Sequence, residues 1–339
     1  MPTYKCTAAC QHCGTISNPK ENTWLKLEDM LTVIDQAAES NYKVVVFTGG
    51  EPTLAEENLL IGIERAKSYN MIVRIVTNAH WATEDNLASN YIKTLKESGL
   101  NEINFSTGDQ HARFVPIENI IRATKYSVSE GLSVAIMIET FKERKITRAI
   151  IENHKDFKKI IEEKPKAIIK IHESPWMPLS YKNVTEYEDG MAMNNNNVSF
   201  SKGCDSILTT TTIQADGVIG ACCGLGMRLI PELHLGKVGE VTLKDADNVA
   251  ENDFLKRWIH NEGPEKILAW CSTIDPSIKW ENMYAHRCQA CLRLYKDPKV
   301  RKIILENHKE KMLDVLFSEW LIYHYDNEKT ENLHESITW

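Results

Sequence analysis

The nine residues KVVVFTGGE, 43–51, decide the fold. Three β-branched residues and a phenylalanine make a short apolar run, and the glycines behind it end a buried strand and open a loop. Runs of the same kind recur at IVRIVTN (72–78), EINFST (102–107), SVAIMIET (133–140) and KAIIKIH (166–172). Helical patterns fill the intervals. In LEDMLTVIDQAAES (27–40), Met30, Val33, Ile34 and Ala37 mark one apolar face. Glu28 and Asp29 sit in its first turn, at the positive end of the helix dipole. EENLLIGIERAKSY (56–69) is also helical in pattern, and TEDNLASNYIKTLKESG (83–99) opens on a threonine cap signal and closes on glycine. Such alternation predicts a parallel sheet with right-handed crossovers. A short strand before Cys6 brings the count to six β/α units, too few for a closed eight-stranded barrel of about 250 residues. An open, partial (β/α)6 barrel over residues 1–175 is the expected α/β fold. Its chemistry belongs at the C-terminal ends of the strands, where Cys6, Gly49, Gly50, Asn78, Asp109 and Glu139 fall.

A net charge of −7 argues against nucleic acid as the main partner, since such binding rests on cationic surface. The basic run FKERKITR (141–148) reads as a solvated loop or helix face, with the holding of an acidic peptide as its alternative. No apolar run approaches the roughly 20 residues of a membrane span. MPTYKCTAAC has no signal-peptide core. A cytoplasmic protein is expected. Nine cysteines in a reducing compartment suggest metal or redox chemistry rather than disulfides. Three stand at 6, 10 and 13, none between 14 and 203, and six between 204 and 291, which predicts two cysteine sites.

In KCTAACQHCG, the C-x3-C-x2-C spacing of Cys6, Cys10 and Cys13 lets one loop bring three thiolates to an iron–sulfur cube and leave one iron open to a small molecule. His12 is the alternative, as a zinc ligand, but structural zinc sites usually draw on two distant segments. With the turn Thr48-Gly49-Gly50-Glu51-Pro52 and the ending VTNAHW, this region resembles the radical S-adenosylmethionine (SAM) superfamily. The resemblance covers about residues 1–175. It implies a 4Fe–4S cluster on the triplet and SAM bound at its open iron. It further implies SAM contacts from Gly49, Gly50, Glu51, Asn78, Ser106 and Glu139. Asp109 and His111 are candidate substrate contacts, with a purely structural role for His111 weighed equally. Five residues precede Cys6, so the first strand is expected to be unusually short, with no room for an N-terminal peptide-recognition domain.

A polar stretch containing NNNN (194–197) marks a linker, taken as 176–203. ILTTTTIQADGVIGACC then carries a hairpin signal, with ADG between β-branched segments. Cys204 precedes it and Cys222 closes it, and AHRCQACLR adds Cys288 and Cys291 at C-x2-C spacing. Two distant pairs suit zinc or an iron–sulfur cluster, and spacing alone leaves both open. The pattern C-x9–15-G-x4-C with a later C-x2-C resembles the Twitch domain, a shortened SPASM domain, and implies an auxiliary 4Fe–4S cluster over 204–295. Residues 296–339 are expected to form a C-terminal helical segment, and Cys271 a core residue.

Cys223 is left over. Adjacent residues of a strand point to opposite faces, so with Cys222 on the cluster, Cys223 faces away. A protonated thiol there is able to give a hydrogen atom to a substrate radical, and an apolar site would keep it neutral. The alternative is a small buried residue. The early triplet, FTGGE, STGDQHARFV, G-x4-CC and the last C-x2-C together resemble the epipeptide peptide epimerases. In that family the second cysteine of the pair returns hydrogen to an α-carbon, turning an L-residue into a D-residue. The resemblance implies a ribosomally made precursor peptide as substrate and an external electron donor of flavodoxin or ferredoxin type. The competing expectation is an oxidative Twitch or SPASM maturase, forming a thioether or carbon–carbon crosslink or dehydrogenating an alcohol. There the auxiliary cluster accepts an electron and Cys223 is incidental.

Overall fold

A computed structural model describes residues 1–336, without the side chains at 323 and 325–336. Five parallel strands form the first lobe in the order β1 (Val44–Phe47), β2 (Ile72–Thr77), β3 (Glu102–Thr107), β4 (Ser133–Thr140) and β5 (Ile169–Pro175). The helices between them are α1 (Leu27–Glu39) before β1, then α2 (Glu56–Ser68), α3 (Asp85–Ser98), α4 (Ile117–Ser129), α5 (Arg148–Asn153) and α6 (Lys155–Glu163). The α/β partial barrel is therefore present. No strand precedes Cys6. Thr3 and Lys5 make only isolated bridges, to Trp24 and Asn18. Their carbonyls accept instead from Gly50 N and Glu51 N at 2.9 and 2.8 Å. The start of the chain thus pairs with the loop after β1 rather than with its edge.

The helices cover one face of the sheet. Phe47, Val73, Ile75, Ile103, Phe105, Ile136 and Ile138 form a core there with Met30, Leu59, Ile63, Ile92, Leu95 and Ile120. The other face is not a continuation of that core. Register places Arg74 beside Glu102, Asn104 beside Ala135, Ala135 beside Lys170, and Ser106, Met137 and His172 in one row. The strands expected to be buried on both sides instead alternate, with a polar inner face. The predicted threonine cap also differs: Glu84 precedes α3 and makes no side-chain cap, whereas Gly99, at φ 123°, does end the helix.

The second lobe begins with an antiparallel sheet, β6 (Thr212–Ile213), β7 (Val218–Gly220) and β8 (His234–Lys237), in that order. Five helices follow: α7 (Leu243–Glu251), α8 (Phe254–Glu262), α9 (Pro264–Ile274), α10 (Arg287–Lys296) and α11 (Pro298–Asn307). Trp258, Ile267, Leu268, Cys271, Tyr284 and Val300 are buried in its core, so Cys271 is a packing residue. The predicted C-terminal helix is two, α11 and α12 (Lys309–Ser336), parted at His308. The segment's last three residues lie outside the described residues.

Candidate active site

The loops after β1 and β2 meet at the triplet. Thr15 Oγ1 lies 3.3 Å from Cys13 Sγ and donates to Gly49 O at 3.0 Å. Asn78 Nδ2 donates to Thr7 Oγ1 at 3.1 Å and approaches Cys6 Sγ at 3.6 Å. Glu51 holds these loops from inside the protein. Its buried carboxylate accepts from Thr53 N and Oγ1, from Thr77 Oγ1 at 2.7 Å and from Asn78 N at 2.8 Å. Gly49 adopts φ 133°, and a Cβ at Gly50 would stand 2.1 Å from Lys5 O, so neither position accepts a larger residue easily. Burial pushes the Cys6 thiol up to about 11 and the Cys10 thiol up to about 12. Such thiols ionise readily only beside a cation.

Glu139 and His111 form one unit. Glu139 Oε2 lies 2.6 Å from His111 Nδ1, and Oε1 accepts from Gln110 N at 2.5 Å. Gly108 leaves room for this carboxylate, since a Cβ there would lie 2.3 Å from Glu139 Cδ. Asp109 is engaged elsewhere: its carboxylate accepts from Lys145 N and Ile146 N, tying down the loop after β4. Ser106 lies near the end of β3, and its hydroxyl makes no hydrogen bond among the described residues. The basic run beyond β4 is mostly consumed by ion pairs, Lys142 with Glu186, Arg144 with Glu173 and Glu188, and Arg148 with Glu152.

A cavity of about 1060 Å³ separates the sheet's inner face from the second lobe. Cys204, Cys222, Cys288 and Cys291 all line it. Cys288 and Cys291 stand three residues apart in α10, with Cys288 in the first turn, where the helix dipole favours thiolate. A Cβ at Gly224 would lie 3.2 Å from Cys222 Sγ and 3.5 Å from Cys288 Sγ, so glycine lets these thiols approach. Burial pushes Cys222 and Cys288 up to about 12, and Cys291 well above the usual thiol range. Among the described residues no three His, Cys, Asp or Glu side chains converge as they would on one metal ion. In an iron–sulfur cube each thiolate takes a different iron, so its ligands stand further apart. Four cysteines lining one cavity, Cys222 buried and the other three partly so, fit such a group by donor chemistry.

Cys222 and Cys223 follow β7 rather than sitting within it, and they do not take the opposite faces expected of neighbours in a strand: both line this cavity, Cys222 buried and Cys223 exposed. Ser206 Oγ accepts from Cys223 N at 3.0 Å and lies 3.1 Å from its Sγ, which fixes the thiol against the wall. The expected apolar setting is absent, because this thiol is open to the cavity and hydrogen-bonded. The cavity is also lined by Arg74, Glu102, Asn104, Lys170 and His172. Neither the triplet nor Gly49, Gly50, Glu51, Asn78, Ser106 or Glu139 lines it. Those residues form a separate cluster, joined to this wall through the loops described next.

Gly226 N donates to Gly14 O at 2.8 Å. Arg228 Nη1 donates to Thr15 O at 2.7 Å and Ile16 O at 3.2 Å, and its guanidinium lies 3.4 Å from the centre of the Tyr4 ring. Tyr4 OH in turn bonds Gln214 and Asp216 in the hairpin. The loop after the CC pair is thereby fastened to the loop after the triplet. Ser206 and Arg228 had no sequence signal. The polar inner face did have one, a period-two alternation in IVRIVT, EINFST and KAIIKIH.

Residues 1–134 match the family model of the radical SAM superfamily. They form a radical SAM domain. The chain is accordingly an enzyme, and its domain is one that takes SAM and a 4Fe–4S cluster. A curated relative is YydG of Bacillus subtilis (strain 168), provisionally named for peptide biosynthesis, 25% identical over 124 residues. The match spans 36% of this chain and only 39% of YydG. Among solved structures, BtrN in complex with AdoMet and 2-DOIA is similar at 15% identity and a TM-score of 0.45, over 78% of this chain and 87% of that one. No helix among the described residues is long and apolar enough to cross a membrane.

Proposed function

We propose that the protein epimerises residues of a ribosomally made peptide from L to D, with Cys223 as the hydrogen donor. Cys6, Cys10 and Cys13 would hold the SAM-binding cluster, and Cys204, Cys222, Cys288 and Cys291 an auxiliary one. When bound, the SAM-binding cluster and SAM supply a 5′-deoxyadenosyl radical that takes an α-hydrogen from the peptide. The observation that carries the reading is Cys223, the exposed thiol of the pair, on the wall of the cavity. Its S–H gives one hydrogen atom to the α-carbon radical, forming the new C–H bond and leaving a thiyl. One electron from an external donor and one proton from solvent restore the thiol. Ser206 holds the sulfur in place, while Gly49, Gly50, Glu51 and Asn78 shape the loop expected to receive SAM. The His111–Glu139 pair, 2.6 Å apart, fixes the loop after β3 beside them.

The test uses the anaerobically reconstituted protein with a precursor peptide encoded beside it. Product of unchanged mass in water, gaining deuterium at one α-carbon in heavy water, is the expected result. Cys223→Ala should stop product formation while 5′-deoxyadenosine still accumulates. A product lighter by two hydrogens would instead indicate an oxidative maturase, and zinc without iron in the reconstituted protein would remove both readings.

A further inference from the structure

The partial barrel has two edge strands, β1 and β5. β1 pairs with β2 alone, but the loop that follows it is bonded by residues 3–5. β5 likewise pairs with β4 alone, and among the described residues no backbone hydrogen bond joins residues 169–173 to any other segment.

From this edge we infer that β5 is a docking strand for an extended, acidic peptide segment, which adds to the sheet as a sixth strand and enters the cavity beside Cys223. The inference rests on the peptide-modifying reading above and names the segment that reading requires. Three observations support it. The edge opens on cavities at both faces. Lys170, His172 and Ser174 line the large inner cavity, and Ile169 and Ile171 line an outer one of about 350 Å³ with Phe157 and Ile161. Side chains of an added strand alternate between two faces, so each cavity would receive every second residue.

Charge adds direction. Lys170 and His172 on the inner side, Lys158 on the outer, and Lys164 and Lys166 before the strand make no ion pair among the described residues. The opposing carboxylates are Glu152, held by Arg148, and Glu162 on the outer rim, with Glu102, held by Arg74, and Glu173, held by Arg144, on the inner side. A lysine on a free edge discourages pairing between copies of a sheet, and the same charge selects an acidic partner. Continuity supplies the last argument. Lys170 and His172 line the same cavity as Cys223, so a peptide strand on this edge borders that cavity.

The test takes the full chain without iron or SAM and uses the blocked octapeptide (Glu-Val)4 as probe. Titration should be saturable, and hydrogen exchange should slow at residues 169–173. Methylating the valine nitrogens should weaken binding at least ~10-fold, because strand addition needs those donors. Lys170→Glu with His172→Glu should weaken (Glu-Val)4 by a similar factor and favour (Lys-Val)4. No binding, unchanged exchange at 169–173, or equal affinity for the methylated probe would overturn the inference. Protection that rises with protein concentration in the absence of peptide would assign the edge to a second copy and overturn it too. Since no radical chemistry enters this experiment, its failure is distinct from failure of the epimerase reading.

Discussion

Glu51 accepts four hydrogen bonds from inside the protein, so its negative charge organises the loop that a glycine turn alone would leave free. Glu51→Ala should lower stability by about 2–4 kcal/mol, since it strands buried donors, and Glu51→Gln should recover part of the loss in denaturant titrations. Ser206→Ala should leave SAM cleavage intact and lower the D-product formed per 5′-deoxyadenosine several-fold, because the thiol loses its anchor. Cys271 tests the core of the second lobe. Burial pushes its thiol from about 9 up to about 12, so the folded state holds that proton more tightly than the unfolded chain. Its contribution is complete below pH 9 and is lost as pH rises toward 12. Chemical denaturation of the metal-free protein should therefore show stability falling over that window, less steeply in Cys271→Ala, with a difference on the order of 3 kcal/mol.

At the scale of elements, the close approach of Gly50 to residues 4 and 5 makes the loop after β1 the least tolerant turn of the first lobe. Gly50→Ala would drive a Cβ into backbone that has no room to yield, so a loss of several kcal/mol is expected in thermal unfolding (about 2–4). The sheet and α1 to α3 were legible because each rests on a local signal: short β-branched runs for the strands, and apolar positions at a period of 3.6 or cap residues for the helices. The supposed first strand was not, because Thr3 and Lys5 find their partners in the loop after β1, about 47 residues away in sequence. The strands were read as buried on both faces because short β-branched runs look alike whether they meet helices or a cavity. Arg74, Glu102, Asn104, Lys170 and His172 mark the difference once the alternation is followed. Ser206 and Arg228 act through contacts 17 and more than 200 residues distant in sequence, which no local pattern encodes.

For the whole molecule, Arg228 couples the two cysteine regions. Arg228→Ala removes two hydrogen bonds to carbonyls and a cation over an aromatic ring, an expected cost of about 2 kcal/mol. The more telling readout is the ratio of 5′-deoxyadenosine to product, which should rise as the donor loop drifts from the triplet, with partial rescue by Arg228→Lys. Other links join the lobes at both margins of the sheet. On the β1 side Tyr42 OH bonds Thr211 and Asp247, and Leu243 N bonds Gln36. On the β5 side Gln289 Nε2 donates to Ser180 O and Asn183 O, and Tyr284 OH donates to Tyr181 O, in the segment that follows the strand. The second lobe is thus moored like a boat at bow and stern, and losing one line leaves the other to hold the width of the cavity.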